Sequence, residues 1–142
     1  MDKILRIDVG AAGGAKAVVT DLGDYEGMGG RGMTSMIVST EVPADCHPLG
    51  PENKLVIAPG MLSGSAASTS GRMSIGCKSP LTGGIKEANS GGQAAQVLAR
   101  LGYAAIVIEG EAPKNALIKV FINADGVKIS DASAFKGLKN YD

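Results

Sequence analysis

Glycine is the residue that most constrains this chain, because it interrupts the apolar segments before any of them grows long. The sequence holds 21 glycines among 142 residues, well above the usual share of about 7%. The glycines follow no fixed period and they separate apolar segments, which argues against a collagen-like chain and against simple disorder. We therefore expect many tight turns and close approaches of one backbone to another.

The apolar pattern predicts short strands that pair mainly with their neighbours in sequence. Residues 3–9 alternate, with Leu5, Ile7 and Val9 on one face of a half-buried strand, and residues 16–20 form its return strand. Further strands are predicted over residues 55–58, 72–77, 84–89 and 104–108, and residues 117–122 and 127–130 are expected to form a hairpin around Asn-Ala-Asp-Gly. Residues 135–142 are weakly patterned.

Two short helices are predicted among these strands. The first follows residues 27–32 (GMGGRG) and ends before Pro43, since the residue before a proline avoids the helical region. The second begins after Ser90, which has Gln93 three residues on in the spacing of a capping box, and ends at Gly102. The pattern as a whole indicates an α+β fold of mainly antiparallel sheets with about two short helices.

Composition and charge exclude several classes of function. The formal charge is zero and aromatic residues make up 4% of the chain, with no tryptophan, so a nucleic-acid interface is not expected. No apolar run approaches the roughly 18 residues of a membrane span, and no leader is recognisable. Cys46 and Cys77 have no metal-binding spacing and are expected to be free thiols, Cys77 on the apolar face of its strand. A cytoplasmic protein is the default expectation.

Catalytic motifs are weak or incomplete. Residues 27–32 fit the G-x-G-x-x-G spacing, but no apolar strand precedes them and no acidic strand lies about 20 residues on, so a dinucleotide site is not expected. His47 is the single histidine, which leaves no basis for a zinc site or a nucleophilic triad. Glu109 and Glu111 are expected to face solvent at a strand end. We predict no catalytic residue in this chain.

Residues 72–92 carry the chemistry expected of an anion-binding site. A helix start at Ser90, Gly91 and Gly92 would offer free N–H groups to a phosphate, and the glycines would let a ligand approach the backbone. Arg72 could bind a phosphate bidentately, and the Asn89 carbonyl oxygen could bind a hard cation such as Mg²⁺. A capped helix beside a surface arginine explains the same pattern.

Several motifs together resemble the start of tungsten-containing aldehyde:ferredoxin oxidoreductases, in both order and spacing. They are GGRG (29–32), PENKL (51–55), GR (71–72), KSPLTG (78–83), ANSGG (88–92), LGY (101–103), AIVIEG (105–110) and DAS (131–133). The resemblance implies that residues 1–142 are part of an N-terminal domain in which antiparallel sheets form a saddle. That saddle cradles a tungsten (or molybdenum) bis-molybdopterin cofactor with Mg²⁺.

Carried over position by position, the resemblance assigns roles to the candidate residues. It implies that Arg72 lies between the pterin and an iron–sulfur cluster, and that Asn89 helps to hold the Mg²⁺ bridging the two pterin phosphates. Residues 90–92 would present backbone amides to a phosphate, and Arg31 would be a further cofactor contact. The metal would be held by the pterin dithiolenes rather than by protein side chains.

The resemblance also implies what this chain would need from elsewhere. The family's cluster cysteines and second glycine-rich half-domain have no counterpart in these 142 residues, so further domains or a partner subunit, from a split enzyme or a longer chain, are expected. The whole enzyme would oxidise aldehydes to carboxylic acids and pass electrons to ferredoxin, and the isolated chain is expected to be inactive. The alternatives are a phosphate- or nucleotide-binding module without catalysis, or an assembly subunit that forms a homo-oligomer through exposed apolar sheet.

Overall fold

A computed structural model describes residues 1–139 and contains two sheets and two α-helices. The first sheet contains β1 (Lys3–Asp8), β2 (Lys16–Asp21), β3 (Leu55–Pro59), β4 (Arg72–Lys78), β5 (Ile85–Gly91) and β6 (Tyr103–Glu109). The helices are α1 (Gly30–Glu41) and α2 (Gln93–Arg100), and β7 (Ile118–Asn123) pairs with β8 (Gly126–Asp131) in a separate hairpin. The predicted α+β fold of mainly antiparallel sheets with two short helices is confirmed.

The six-stranded sheet has the order β2-β1-β6-β3-β4-β5. Its hairpin pairs are antiparallel, as the sequence predicts, whereas β1 and β6 pair in parallel although they lie about a hundred residues apart. This pairing places β1 inside the sheet, so residues on both of its faces are buried: Ile4 packs on one side, where Arg6 and Asp8 are half-buried, and Leu5 and Ile7 pack on the other. The strand β5 forms one open edge of the sheet.

Helix α1 covers one face of the sheet, while α2 and the β7–β8 hairpin cover part of the other. On the α1 side, Met33 and Ile37 are fully buried against residues of β1, β3 and β6. On the opposite side, Leu98 of α2 and Val120 of β7 pack around Leu5. None of the helices in residues 1–139 is long and apolar enough to cross a lipid bilayer.

Strand β4 is most deeply buried on the face opposite Cys77. Its small residues, not its apolar ones, lie beneath α1: Ser74 is 1% exposed, and the hydroxyl oxygens of Ser74 and Thr34 are 3.0 Å apart. Gly76 is also buried there, and a Cβ on it would lie 2.8 Å from the Thr34 Cβ. Cys77 faces the other side and is half-buried. The small residues on this face of β4 therefore allow α1 to pack closely against the strand.

Candidate functional site

Strands β4 and β5 bring most of the candidate residues together. Their antiparallel register pairs Arg72 with Gly91 and Ser74 with Asn89. Since side chains alternate along a strand, Arg72, Ser74, Asn89 and position 91 share the face that carries α1. The sheet therefore forms one wall on which the predicted arginine, amide and glycine lie side by side.

Arg72 lies beside a depression of about 460 Å³ at the end of this strand pair. The lining residues are Thr69, Gly71, Arg72, Gly91, Gly92, Gln93 and Gln96. The Arg72 side chain is exposed, and no carboxylate of residues 1–139 forms an ion pair with it. An unpaired guanidinium next to side-chain-free backbone is a suitable site for a phosphate-bearing ligand.

The glycines at positions 91 and 92 keep this depression open. A Cβ at Gly92 would meet no atom within 4 Å, and its φ of +125° is a conformation that favours glycine. The Gly92 N–H donates to the Gly71 carbonyl at 3.0 Å and is therefore already used. Because hydrogen-bonded and non-hydrogen-bonded pairs alternate in an antiparallel ladder, the Gly91 N–H points away from β4 to the open sheet edge. Of the three amides of residues 90–92, that of Gly91 is thus the one that points to the open edge.

Ser90 does not cap α2, so the capping-box prediction is wrong. The residue lies within β5, opposite Met73, and α2 begins only at Gln93, with Gly92 at the N-cap and no side-chain cap. The Ser90 hydroxyl donates to the Gly91 carbonyl at 3.3 Å and lies on the face opposite Arg72 and Asn89. Pairing with β4 extends β5 beyond the predicted end and thereby replaces the cap.

Glu87 connects two candidate residues that the sequence treats separately. Its carboxylate accepts hydrogen bonds from Asn89 Nδ2 at 2.6 Å and from Arg31 Nε at 3.2 Å. The Ser74 hydroxyl donates to the same carboxylate at 2.7 Å. Because side chains alternate along a strand, the predicted strand already put Glu87 and Asn89 on one face. Nothing in the sequence predicted the contact of Glu87 with Arg31 of α1. Arg31, which the resemblance assigns to the cofactor, is therefore ion-paired with Glu87 in this structure.

These contacts keep Glu87 ionised. The hydrogen bond from Ser74 is the main cause that lowers the pKa of Glu87, and desolvation partly opposes it. Asn89 and Arg31 lower the pKa further. At neutral pH the site thus contains a carboxylate beside Asn89, whose Oδ1 has no hydrogen-bond partner among residues 1–139.

A second polar cluster lies at the opposite end of α1. Glu41 accepts hydrogen bonds from Arg6 at 2.8 and 2.6 Å and from the Tyr25 hydroxyl at 2.8 Å. Lys54 contacts Glu109 directly, so Glu109 is half-buried and ion-paired and the expectation that it faces solvent is wrong. The antiparallel pairing of β3 with β6 explains this difference, because it places Lys54 beside Glu109, while the parallel pairing with β1 brings Arg6 Nη1 to 3.9 Å from the same carboxylate.

Within the described part of the chain, no group of three or more His, Cys, Asp or Glu side chains is arranged to hold a metal ion. His47 is exposed, and its Nδ1 accepts a hydrogen bond from the Leu49 N–H at 3.2 Å. Cys46 is buried, and both cysteines are free thiols, as predicted.

The chain matches known proteins over nearly its whole length. The family model for the aldehyde ferredoxin oxidoreductase N-terminal domain matches residues 4–142. The tungsten-containing aldehyde ferredoxin oxidoreductase of Pyrococcus furiosus is 44% identical over 112 residues, which cover 79% of this chain and 18% of that protein. The protein of the same name from Thermococcus kodakarensis is 44% identical over 110 residues, covering 78% of this chain and 18% of that protein.

A solved structure extends the similarity to three dimensions. The active-site complex BamBC of benzoyl-coenzyme A reductase, solved with 1,5-dienoyl-CoA, contains a chain that superposes with a TM-score of 0.83 at 35% identity. The superposition covers 96% of this chain and 20% of that one. The family match and the sequence identities confirm the resemblance found in the motifs, and this chain belongs to the aldehyde ferredoxin oxidoreductase family, to whose N-terminal domain it corresponds.

Proposed function

We propose that residues 1–142 form the cofactor-binding part of a tungsten- or molybdenum-pterin oxidoreductase. The observation that carries this proposal is the wall formed by Arg72, Asn89 and Gly91, in which a cation, a hard oxygen donor and bare backbone share one open surface. The family match supports it, since the matched relatives are named as tungsten-containing enzymes. In this proposal the described sheets are one half of the saddle expected from the resemblance.

The residues present fit such a cofactor. Arg72 is the unpaired cation that a pterin phosphate requires, and Gly91 and Gly92 leave room for the ligand to approach the backbone. The Asn89 Oδ1 is available to a hard cation such as Mg²⁺ while the Asn89 amide nitrogen is held by Glu87. Residues 90–92 contribute mainly through Gly91, because the Gly92 N–H is used within the fold and the Ser90 hydroxyl faces the other side.

Arg31 has a smaller place in this proposal. Its guanidinium is bound through Nε to Glu87, and its side chain is 71% exposed, so the remaining N–H groups can still reach an anion. An ion pair between such an exposed guanidinium and an anionic ligand adds little to the affinity, on the order of 1 kcal/mol or less. We therefore assign Arg31 a supporting role and Arg72 the main one.

The chain's own residues would bind and orient the cofactor rather than react. When bound, the cofactor supplies the two-electron redox chemistry by which an aldehyde and water become a carboxylic acid. An iron–sulfur cluster commonly uses four cysteine ligands, and this chain has only Cys46 and Cys77, so the cluster that passes electrons to ferredoxin must be held by further domains or a partner subunit. The isolated chain should therefore be inactive. A cytoplasmic location accords with ferredoxin as acceptor.

The similarity to a benzoyl-coenzyme A reductase chain raises a second candidate for the substrate. That relative is 35% identical, against 44% for the two aldehyde ferredoxin oxidoreductases. We favour aldehydes on this ground. In this proposal Arg72 and Asn89 would bind the cofactor with either substrate, so the substrate question does not affect their role.

The proposal is tested on the protein purified from its source cells grown with tungstate. We expect tungsten or molybdenum and an organic pterin to co-purify in a fixed ratio to this chain, together with aldehyde-dependent reduction of ferredoxin. If the protein contains pterin but reduces a coenzyme A thioester instead of oxidising an aldehyde, the second candidate is the substrate. A bound nucleotide without pterin, or a ligand-free self-associating chain, would favour a phosphate-binding module or an assembly subunit and overturn the proposal.

A further inference from the structure

Glu87 receives three side-chain hydrogen bonds that arrive from three different elements. Ser74 comes from β4, Asn89 from β5 itself and Arg31 from the start of α1. The Glu87 side chain is 16% exposed, so it lies between the sheet and the helix rather than in open solvent. None of the sequence motifs singles out this residue.

The anchor of this network is buried. The Ser74 and Thr34 hydroxyl oxygens are 3.0 Å apart, both residues are almost completely buried, and Thr34 Oγ1 also donates to the Arg31 carbonyl at 3.2 Å. The carboxylate of Glu87 is thus fixed at one end by the core of the domain. A fixed carboxylate can in turn hold flexible side chains in one orientation.

Two of the side chains that Glu87 holds belong to the proposed site. By accepting the hydrogen bond from Asn89 Nδ2, it turns the amide so that Oδ1 remains available. By pairing with Arg31 Nε, it ties a long exposed side chain of α1 to β5, across 56 residues of sequence. Without this carboxylate, the Asn89 amide could rotate and Arg31 would sample many rotamers.

We propose that Glu87 is a positioning residue, which sets the orientation of the Asn89 amide and the Arg31 guanidinium at the site. It need not touch the ligand itself, because it acts through these two side chains. The effect of Glu87 on cofactor binding rests on the proposed function. The orientation itself can be measured in the chain without any ligand.

The first test is nuclear magnetic resonance of the ¹⁵N-labelled chain, observing the Asn89 side-chain amide and the Arg31 Nε–H. In Glu87→Ala, both signals should shift and the Arg31 Nε–H should exchange with water several-fold faster. In Glu87→Gln, the side-chain oxygen can still accept from Asn89, so the Asn89 signal should stay close to wild type while Arg31 is released. Glu111→Ala, which removes an exposed carboxylate elsewhere, should change neither signal.

The second test is the pterin content of the protein purified from its source cells. Glu87→Ala should lower the ratio of pterin to chain several-fold, and Glu87→Gln should restore part of it, while thermal unfolding separates this loss from a loss of fold. Unchanged Asn89 and Arg31 signals in Glu87→Ala would overturn the positioning role. An unchanged pterin ratio with altered signals would overturn its consequence for binding. A wild-type protein without pterin would instead refute the proposed function and leave the first test decisive.

Discussion

Arg72 and Gly91 face each other across the β4–β5 pair, and a Cβ placed on Gly91 would lie 3.6 Å from Arg72 Nη1. That distance is an ordinary van der Waals contact, so an alanine could be accommodated without displacing the guanidinium. The absence of a side chain at position 91 is therefore not required for folding. In the proposed function, the missing side chain leaves room for a ligand to approach the backbone beside Arg72.

The two neighbouring glycines should respond differently to alanine. Gly91→Ala should leave the free energy of unfolding within about 0.5 kcal/mol of wild type, because Gly91 has no positive φ, but should weaken cofactor retention. Gly92→Ala should cost roughly 1–3 kcal/mol, because its φ of +125° is strained for any residue with a Cβ. Urea unfolding of both variants measures this. Equal destabilisation would contradict the assigned backbone conformations.

Gly76 should be essential for the packing of α1 on the sheet. A Cβ there would lie 2.8 Å from the fully buried Thr34 Cβ, so Gly76→Ala should cost about 1–3 kcal/mol by overpacking. Gly32→Ala is the matched control, since it lies in α1 with no atom within 4 Å of its Cβ and should stabilise by about 0.5–1 kcal/mol. Thermal and urea unfolding should show opposite signs for the two variants. A neutral Gly76→Ala would mean that α1 lies farther from β4.

Gln96 should hold the loop that leads into Arg72. Its Oε1 accepts from the Gly64 N–H, and its Nε2 donates to Ser70 Oγ at 3.1 Å. Gln96→Ala removes both bonds and should cost on the order of 1 kcal/mol, with faster proteolytic cleavage within residues 60–71. Gln93→Ala, which removes an exposed glutamine of the same helix, is the control. Equal cleavage rates in the two variants would show that the loop is held by other contacts.

The Arg6–Glu41 pair should make stability depend on pH. Burial alone would raise the pKa of Glu41, but hydrogen bonds from Arg6 and Tyr25 outweigh it and lower the pKa below its ordinary value of 4.5. A depressed folded-state pKa means that the stabilisation is fully present above the ordinary value and is lost as the pH falls through the folded-state pKa. The difference in unfolding free energy between wild type and Glu41→Gln should therefore shrink below pH 4.5.

This pH prediction is measured by urea unfolding of both proteins over an acidic series. Glu111→Gln serves as the control because its carboxylate is exposed, and its difference from wild type should stay small throughout. A difference for Glu41→Gln that is the same at every pH would contradict the pKa assignment.

Local features of the sequence predicted most elements but not how the distant ones meet. The turn before Gly126, with a φ of +133°, and the end of α1 before Pro43 follow from backbone restrictions of single residues. The parallel pairing of β1 with β6 does not, because the two strands are distant in sequence. The wrong expectation for Glu109 has this origin, because it depends on pairings of β6 with β1 and β3 that the sequence did not reveal. The wrong expectation for Ser90 arises because the predicted pairing of β4 with β5 continues two residues beyond the predicted end of β5.

The candidate site was predicted in its residue types and only partly in its contacts. Arg72, Asn89 and Gly91 were recognised because a cation, an amide and bare backbone have chemical meaning on their own. Glu87 and Gln96 were missed because their partners lie 56 and 32 residues away, on other elements. Interactions that position a binding residue depend on tertiary structure and leave little trace in a single sequence.

The central claim is that Arg72 and the adjoining edge of β5 form one wall of a pterin site. Its most direct test is the ratio of pterin to chain in Arg72→Ala, compared with Lys86→Ala, which removes an exposed cation from the opposite face of the same strand pair. We predict that Arg72→Ala loses most of the pterin while Lys86→Ala keeps it, with both variants folded. Full retention of pterin by Arg72→Ala, or equal loss in both variants, would contradict the claim.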